Sequence, residues 1–492
     1  MSPPNIHLCI VQPLGYVHSL GFLDQARYFR WQLRRLGARV TLAKNRLRAD
    51  AVNLVFGAHL GVPEDWVARH ACIFVNLEQL GQGGASVRPE YFELLRRHAV
   101  VDYDRDNVAA YRDDPSSVPV LPFGHAAYLG DGNGLALEDR PIDLLFFGSL
   151  NDRRRAFIER VESAGVSVSV FDHPVYGEER DSFIRQAKAV LNCHFYDSSR
   201  FEQARAFQCL SLGTPVISER GPQTRPPAAF ADTVFWLEPD GVERFFAEQF
   251  ATPAWFDAAR ERVAAFSAHD PLQPYAELLS LAAALAGSRE RGNEPWQPLQ
   301  MNLGSGKDYK PGWLNVDILE RAEPDLVLDL GQPQSWPLRR RGPAGEVLLE
   351  PGTLETVYAN NVLEHVPDLP CLMTNVLGLL RTDGRFIVEV PYERALSAWQ
   401  DPTHLRALNE NSWIYYTDWF WYLGWFNHRF EVADFKWLDL QHRACAKEQA
   451  SFMRVVLRKI ETTLRERVNA RSMRPDFGGL PDDRPHPLAV AA

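Results

Sequence analysis

The sequence predicts an α/β protein built from three successive units, each a parallel sheet covered by helices. Three observations predict it. Short apolar runs alternate with amphipathic stretches through most of the chain, the rhythm of strand–helix–strand connectivity. Hydrophobic residues make up 46% of the 492 residues and charged residues 24%, enough to give each unit a core and to exclude wholesale disorder. At roughly 100–200 residues per domain, the length calls for two to four globular units.

In the first unit, residues 6–11 read as a strand, 23–36 as a helix, and 39–43, 51–56 and 72–76 as further strands. A helix at 91–98 and a strand near 100–103 follow, and 118–123 leads out of the unit through Pro122-Phe-Gly124. After the turn-rich Asp131-Gly-Asn-Gly134, the second unit reads as strands at 142–147, 167–171, 189–193 and 215–218. Helices at 180–187 and near 201–212 lie between them, and helices from 242 to 286 close the unit. The expected boundaries are 1–125 and 126–288 for these two lobes, 289–298 for a polar linker, 299–460 for the third unit and 461–492 for a polar tail. The tail's proline-rich end, from Arg474, has the composition of a disordered segment.

Net charge is −10 with no basic stripe, which argues against a nucleic acid as partner. The six cysteines are scattered, with no CxxC pair and no zinc spacing, as expected in a reducing compartment. The N-terminus lacks a signal-peptide pattern and no run approaches the roughly 20 apolar residues of a membrane span. The expectation is a cytoplasmic protein without a transmembrane segment, with peripheral membrane contact left open.

The third unit carries the clearest chemistry. Its first strand, 299–303, runs into Gly304-Ser-Gly306, and glycines there let the backbone turn sharply and approach a ligand closely. Tyr309 stands where the dinucleotide fingerprint needs its third glycine, so nicotinamide and flavin are disfavoured. A second strand at 314–316 ends in Asp317, placed to accept two ribose hydroxyls, and a third at 326–328 ends in Asp329. Strands at 357–359 and 385–390 follow, then two more at 430–440 and 452–460. Each motif has a plainer reading: the glycines as an ordinary turn, Asp329 as a helix cap, Glu364 as a surface ion pair.

Met301-Asn-Leu-Gly-Ser-Gly306, Gly312-Trp-Leu-Asn-Val-Asp317, Asn361-Val-Leu-Glu-His-Val366 and Asp401-Pro-Thr-His404 together resemble class I S-adenosylmethionine-dependent methyltransferases. The likeness is strongest to a bacterial subgroup of polysaccharide gene clusters and covers about one domain length. It implies a Rossmann-like sheet of seven strands, the last one antiparallel, with 430–440 and 452–460 as the closing hairpin. It further implies that Gly304 and Gly306 line the methionine part of S-adenosylmethionine, Asp317 its ribose, Asp329 its adenine and Asn361 its surrounding backbone. Glu364 and His365 would lie beside the cofactor. His404 is the candidate general base, falling just after the fifth strand; a structural histidine is the alternative. The aromatic run Trp413, Tyr415, Tyr416, Trp419, Phe420, Trp421, Tyr422, Trp425 and Phe426 reads as a hydrophobic lid, with a few rings reaching the acceptor.

The first two units, lacking metal and nucleophile motifs, suggest a ligand cleft between lobes. Gly148 ends a strand, and Arg153 and its arginine neighbours suit a diphosphate, or form a solvated turn. Arg200-Phe-Glu-Gln-Ala-Arg205 places Glu202 and Arg205 on one helix face, and Leu212-Gly-Thr-Pro-Val-Ile-Ser-Glu219 follows. These stretches resemble the C-terminal lobe of glycosyltransferases with two Rossmann-like lobes, the GT-B architecture, and Pro122-Phe-Gly124 resembles their lobe crossover. The resemblance implies Gly148, Arg153, Glu202, Arg205 and Thr214 as the nucleotide-sugar site. The paired glutamates of the retaining enzymes are missing, Gln208 and Arg200 standing near those positions, and no Asp-x-Asp motif calls for a metal. The combined expectation is a bifunctional transferase that adds a sugar from a nucleotide-sugar and methylates a sugar or glycan in bacterial surface polysaccharide assembly. The alternatives are a methyltransferase with a non-catalytic glycan- or nucleotide-binding module, or a scaffold with both sites vestigial.

Overall fold

The computed structural model describes residues 4–13, 15–130, 134–171, 173–289, 295–343 and 345–474. Most of the turn at 131–134, the middle of the expected linker and the tail beyond 474 lie outside the described residues. Tertiary contacts divide the chain into residues 1–292 and residues 293–492.

The first unit holds two five-stranded parallel sheets. Strands β1 (Ile6–Ile10), β2 (Val40–Lys44), β3 (Val52–Phe56), β4 (Cys72–Asn76) and β5 (Ala99–Asp102) lie in the order β2-β1-β3-β4-β5. Strands β6 (Ile142–Phe146), β7 (Val168–Val170), β8 (Ala187–Asn192), β9 (Val216–Glu219) and β10 (Phe235–Leu237) repeat that order. Successive side chains of a strand point to opposite faces. Along β1, Ile6, Leu8 and Ile10 therefore enter one core while Cys9 enters another. Helices cover both faces, which is why the strand reads as an unbroken apolar run rather than an alternating one.

The passage between the sheets is pinned at Pro122-Phe-Gly124. The Phe123 ring stacks on Phe207 at 4.8 Å, and the Gly124 N–H donates to the Tyr28 hydroxyl at 2.9 Å. A Cβ on Gly124 would fall 2.4 Å from the His269 carbonyl oxygen, so no larger residue fits. The helix Leu272–Arg289, expected to close the second lobe, instead returns to the first. Its Tyr275 ring lies 5.1 Å from Phe29 and 5.8 Å from Tyr28, both on the helix Phe22–Arg35. The apolar face of this helix thus finds its partner across the unit.

The second unit is one seven-stranded sheet. Its strands β11 (Gln300–Leu303), β12 (Leu314–Asp317), β13 (Leu326–Val327), β16 (Leu354–Asn360) and β17 (Leu380–Pro391) run parallel, and β18 (His428–Leu438) and β19 (Phe452–Glu461) close it. The order is β13-β12-β11-β16-β17-β19-β18, with β19 antiparallel to both neighbours. A hairpin of β14 (Leu338–Gly342) and β15 (Gly345–Leu349) was not expected, because the arginines of β14 hide any apolar alternation. The polar tail also begins with a helix, Leu464–Ser472, started by a capping box between Thr463 and Glu466.

The connection from β11 to β12 contains no helix and is organised instead by buried amides. Asn302 and Asn315 face each other across the two strands. The Asn302 amide donates to the Asp308 carbonyl at 2.6 Å and to Asn315 Oδ1 at 3.0 Å. Asn315 donates onward to the carbonyls of Lys310 and Trp313 and to Asp325 Oδ2, each within 3.0 Å. Buried amides are tolerated only when so fully paired, and here the pairing fixes the glycine loop above them.

Candidate functional site

In an open parallel sheet, ligands bind beyond the carboxyl ends of the strands where the strand order reverses. In the second unit that point lies between β11 and β16. Gly304 follows β11 directly, and residues 361–365 follow β16. Gly304 and Gly306 have φ of +64° and +45°, left-handed values that a side chain resists. A Cβ on Gly304 would sit 2.3 Å from Val362 Cγ2, so the two loops touch at the reversal point.

Asp317, at the end of β12, is buried. Its Oδ2 accepts the Gly306 N–H and its Oδ1 the Leu319 N–H, each at 2.8 Å. The carboxylate thus holds the glycine loop in place and keeps spare lone pairs for a hydroxyl. Asp329 is exposed, and its Oδ1 accepts the Gly331 N–H at 2.8 Å in a turn with no helix behind it, which removes the helix-cap reading. Asn361 is exposed at φ +52°, and its N–H donates to the Glu389 carbonyl at 2.9 Å.

Glu364 is 2% exposed, and neither carboxylate oxygen has a hydrogen-bond partner among the described residues, so it does not pair on a helix surface. Burial pushes its carboxyl up to about 7. His404 Nε2 lies 4.0 Å from Glu364 Oε1, and the His365 and His404 rings meet edge-on at 4.8 Å between centroids. The structure thus brings together Glu364, His365 and His404 from loops after two different strands. The aromatic run divides: Trp413, Tyr416, Phe420 and Trp425 are buried core, Trp421 and Phe426 pack half-buried against it, and Tyr415, Trp419 and Tyr422 are exposed.

In the first unit, Gly148, Glu202 and Arg205 line a cleft of about 320 Å³ together with Asp24, Gln79, Tyr103 and Arg180. Gly148 has φ of +131°, and a Cβ there would meet the Arg205 guanidinium at 2.7 Å. Glu202 pairs with Arg154 and Arg205. Burial works against the ionised form, but the two guanidiniums hold the Glu202 carboxyl below its ordinary range. Arg153 and Thr214 depart from expectation, being absent from this lining. Arg153 pairs with Asp197 and Glu219. Thr214 is fully buried, donating to the Ile184 carbonyl at 2.8 Å and accepting from Arg140 at 2.9 Å. Arg180 was missed: it lines the cleft with its charge buried against Asp24 and Asp181, and it stands in no motif. Arg154, one of the arginine neighbours of Arg153 named from the sequence, is buried against Glu202. Asn302, Asn315 and Asp325 were missed too. The signal available was an asparagine at the same position of two short apolar strands.

No family model matches the chain. A curated relative, uncharacterized protein L140 of Acanthamoeba polyphaga mimivirus, is 26% identical over 159 residues, covering 30% of this chain and 48% of that protein. The chain therefore matches about half the length of that relative. A solved structure of AviGT4, a glycosyltransferase involved in avilamycin A biosynthesis, is 14% identical with a TM-score of 0.40, covering 58% of this chain and 99% of its own. An S-adenosylmethionine-dependent methyltransferase from Mesorhizobium loti is 13% identical with a TM-score of 0.23, covering 36% of this chain and 98% of its own. The strand orders and loop geometry above stand independently of these distant likenesses. Among the described residues, no helix is long and apolar enough to cross a membrane.

Proposed function

We propose that residues 293–492 form an S-adenosylmethionine-dependent methyltransferase acting on a sugar or glycan, and that residues 1–292 form a glycosyltransferase using a nucleotide-sugar. The observation that carries the first half is the glycine loop, held by Asp317 at the point where the seven-stranded sheet reverses its order. In this reading Gly304 and Gly306 admit the methionine part, Asp317 takes the ribose hydroxyls, and Asp329 and Asn361 border the adenosine. Methyl transfer needs donor and acceptor held in line and water excluded. The acceptor hydroxyl passes its proton to His404, the candidate base, its oxygen attacks the methyl carbon, and the C–S bond breaks with both electrons going to sulfur. Glu364, His365 and His404 are the groups at the acceptor side.

The second half rests on the cleft lined by Glu202, Arg205 and Gly148. Arg205 favours a diphosphate, and Glu202, held ionised by Arg205 and Arg154, accepts ribose or sugar hydroxyls. Coupling the two activities in one chain fits assembly of a methylated surface polysaccharide, since linkage raises the local concentration of a shared product.

The test is titration calorimetry with S-adenosylmethionine, followed by an acceptor screen using labelled cofactor. Asp317→Ala is expected to lose roughly 100-fold or more in affinity, because hydrogen bonds to a charged group are worth about 1.5–3 kcal/mol each. Its circular dichroism should stay that of a folded protein. Wild-type protein that binds no S-adenosylmethionine would remove the methyltransferase reading.

A further inference from the structure

Glu364 and His365 close the loop after β16, and His404 lies in the loop after β17. One ligand atom from each can be chosen so that all lie within 4.8 Å of one another. Glu364 is 98% withdrawn from solvent with both oxygens unpartnered among the described residues, a costly state for an ionised carboxylate that either a proton or a cation set against it relieves. The nearest cationic candidate is His404 Nε2 at 4.0 Å, beyond hydrogen-bonding distance.

Both imidazoles are turned to offer a lone pair. His404 Nδ1 lies 2.9 Å from the Ala398 carbonyl oxygen. A carbonyl can only accept, so Nδ1 carries the hydrogen and Nε2 is left as an acceptor facing Glu364. His365 Nδ1 lies 3.2 Å from the Thr403 carbonyl oxygen and 3.0 Å from the Thr403 hydroxyl, whose own hydrogen goes to Asp401 Oδ1 at 2.6 Å, so both neighbours accept and Nδ1 carries the hydrogen here too. A ring whose far nitrogen donates to a backbone carbonyl is the usual second layer of a metal-binding histidine. The two loops are also tied to each other: the Leu405 N–H donates to the Glu364 carbonyl at 2.8 Å, and Arg406 donates to the carbonyls of Val366 and Pro367. The three groups are thus held together before any ligand arrives.

We propose that Glu364, His365 and His404 bind a divalent first-row transition cation. Two imidazoles and one carboxylate suit ions of the zinc, iron(II) or cobalt(II) kind, and three protein ligands leave positions open. This departs from the expectation of no metal, which rested on the absence of a contiguous motif; the ligands here come from separate loops. On the methyltransferase reading, the open positions take the acceptor hydroxyl. The cation makes that hydroxyl more acidic, its proton passes to solvent, and its oxygen attacks the methyl group, leaving the neutral thioether. His404 then serves as a ligand rather than as the base.

The test uses tag-free, full-length protein stripped with a chelator and titrated with cobalt(II) or zinc(II) alone. S-adenosylmethionine binding is measured separately on the same preparation. One cation per chain is expected, with the visible absorption of bound cobalt(II). Glu364→Gln and His404→Ala, on different loops, should each weaken binding by more than about 100-fold, beyond the roughly 10–100-fold cost of outer-layer changes. Circular dichroism identifies a variant that fails to fold, and His365→Gln then replaces it. Variants that bind cobalt(II) as tightly as wild type, or a wild type that binds none while still binding S-adenosylmethionine, overturn the site. Cation binding without S-adenosylmethionine binding leaves the site standing and removes the methyltransferase reading.

Discussion

Gly304 concentrates two constraints in one residue. Its left-handed backbone disfavours any side chain by about 1–2 kcal/mol, and a Cβ would press into Val362 Cγ2. Gly304→Ala is therefore expected to destabilise the protein by about 1–3 kcal/mol and to abolish S-adenosylmethionine binding, read by thermal melts and calorimetry. Gly304→Ala with Val362→Ala should recover part of the stability, because only the steric part of the cost is relieved. A Gly304→Ala protein that melts and binds like wild type would deny the close approach of the two loops. At this scale the sequence was legible where backbone geometry demands a residue type. Gly304, Gly306 and Gly148 could be picked out because glycine has few other reasons to end a strand. Arg153 and Thr214 could not be separated from true cleft residues, since an arginine in a strand–helix turn reads the same whether it faces a phosphate or Glu219. Glu364 could be singled out from its motif but not as a buried residue, because its neighbour in space, His404, lies some forty residues away along the chain.

Among the elements, β1 and β2 show how one buried base ties an edge strand down. His7 on β1 lies opposite Thr41 on β2, and its Nδ1 is 2.7 Å from the Thr41 hydroxyl while Nε2 is 3.0 Å from the Arg46 carbonyl. The carbonyl fixes the hydrogen on Nε2, so the ring is neutral and accepts from Thr41. Burial lowers its pKa from 6.5 to about 4. The unfolded chain therefore takes up a proton below about pH 6.5 that the folded chain refuses until about pH 4. The contribution is whole above pH 6.5 and is lost as pH falls through that window, about 3 kcal/mol in all. His7→Gln should show a smaller drop in stability between pH 7 and pH 4.5 than wild type, measured by urea unfolding. Equal slopes would show that His7 stays accessible to protons. The strands themselves were readable to within a few residues, because apolar runs mark buried parallel strands well. The three-residue β10 and the β14–β15 hairpin, whose arginines satisfy no apolar pattern, were not, and the helix Leu272–Arg289 was placed correctly along the chain while its packing on the helix Phe22–Arg35 was not legible. Neighbourhood in sequence does not say which face an apolar helix will find.

At the scale of the whole molecule, the cores follow the division of the chain. Among the described residues, three apolar clusters lie within residues 1–292 and a fourth within 293–492. Units with separate cores unfold separately unless a large interface couples them. A ligand stabilises only the unit that binds it, by about 2.7 kcal/mol when present at 100 times its dissociation constant. Scanning calorimetry of the intact chain is therefore expected to resolve two transitions. S-adenosylmethionine should raise one and leave the other in place, and a nucleotide-sugar that binds the donor site proposed for the first unit should do the converse. Asp317→Ala should erase the first shift without touching the second, because the groups its carboxylate accepts from, the Gly306 and Leu319 N–H, belong to the second unit. A single transition moved by both ligands would show that the chain folds as one cooperative body, and would make each site's stability depend on the other's occupancy.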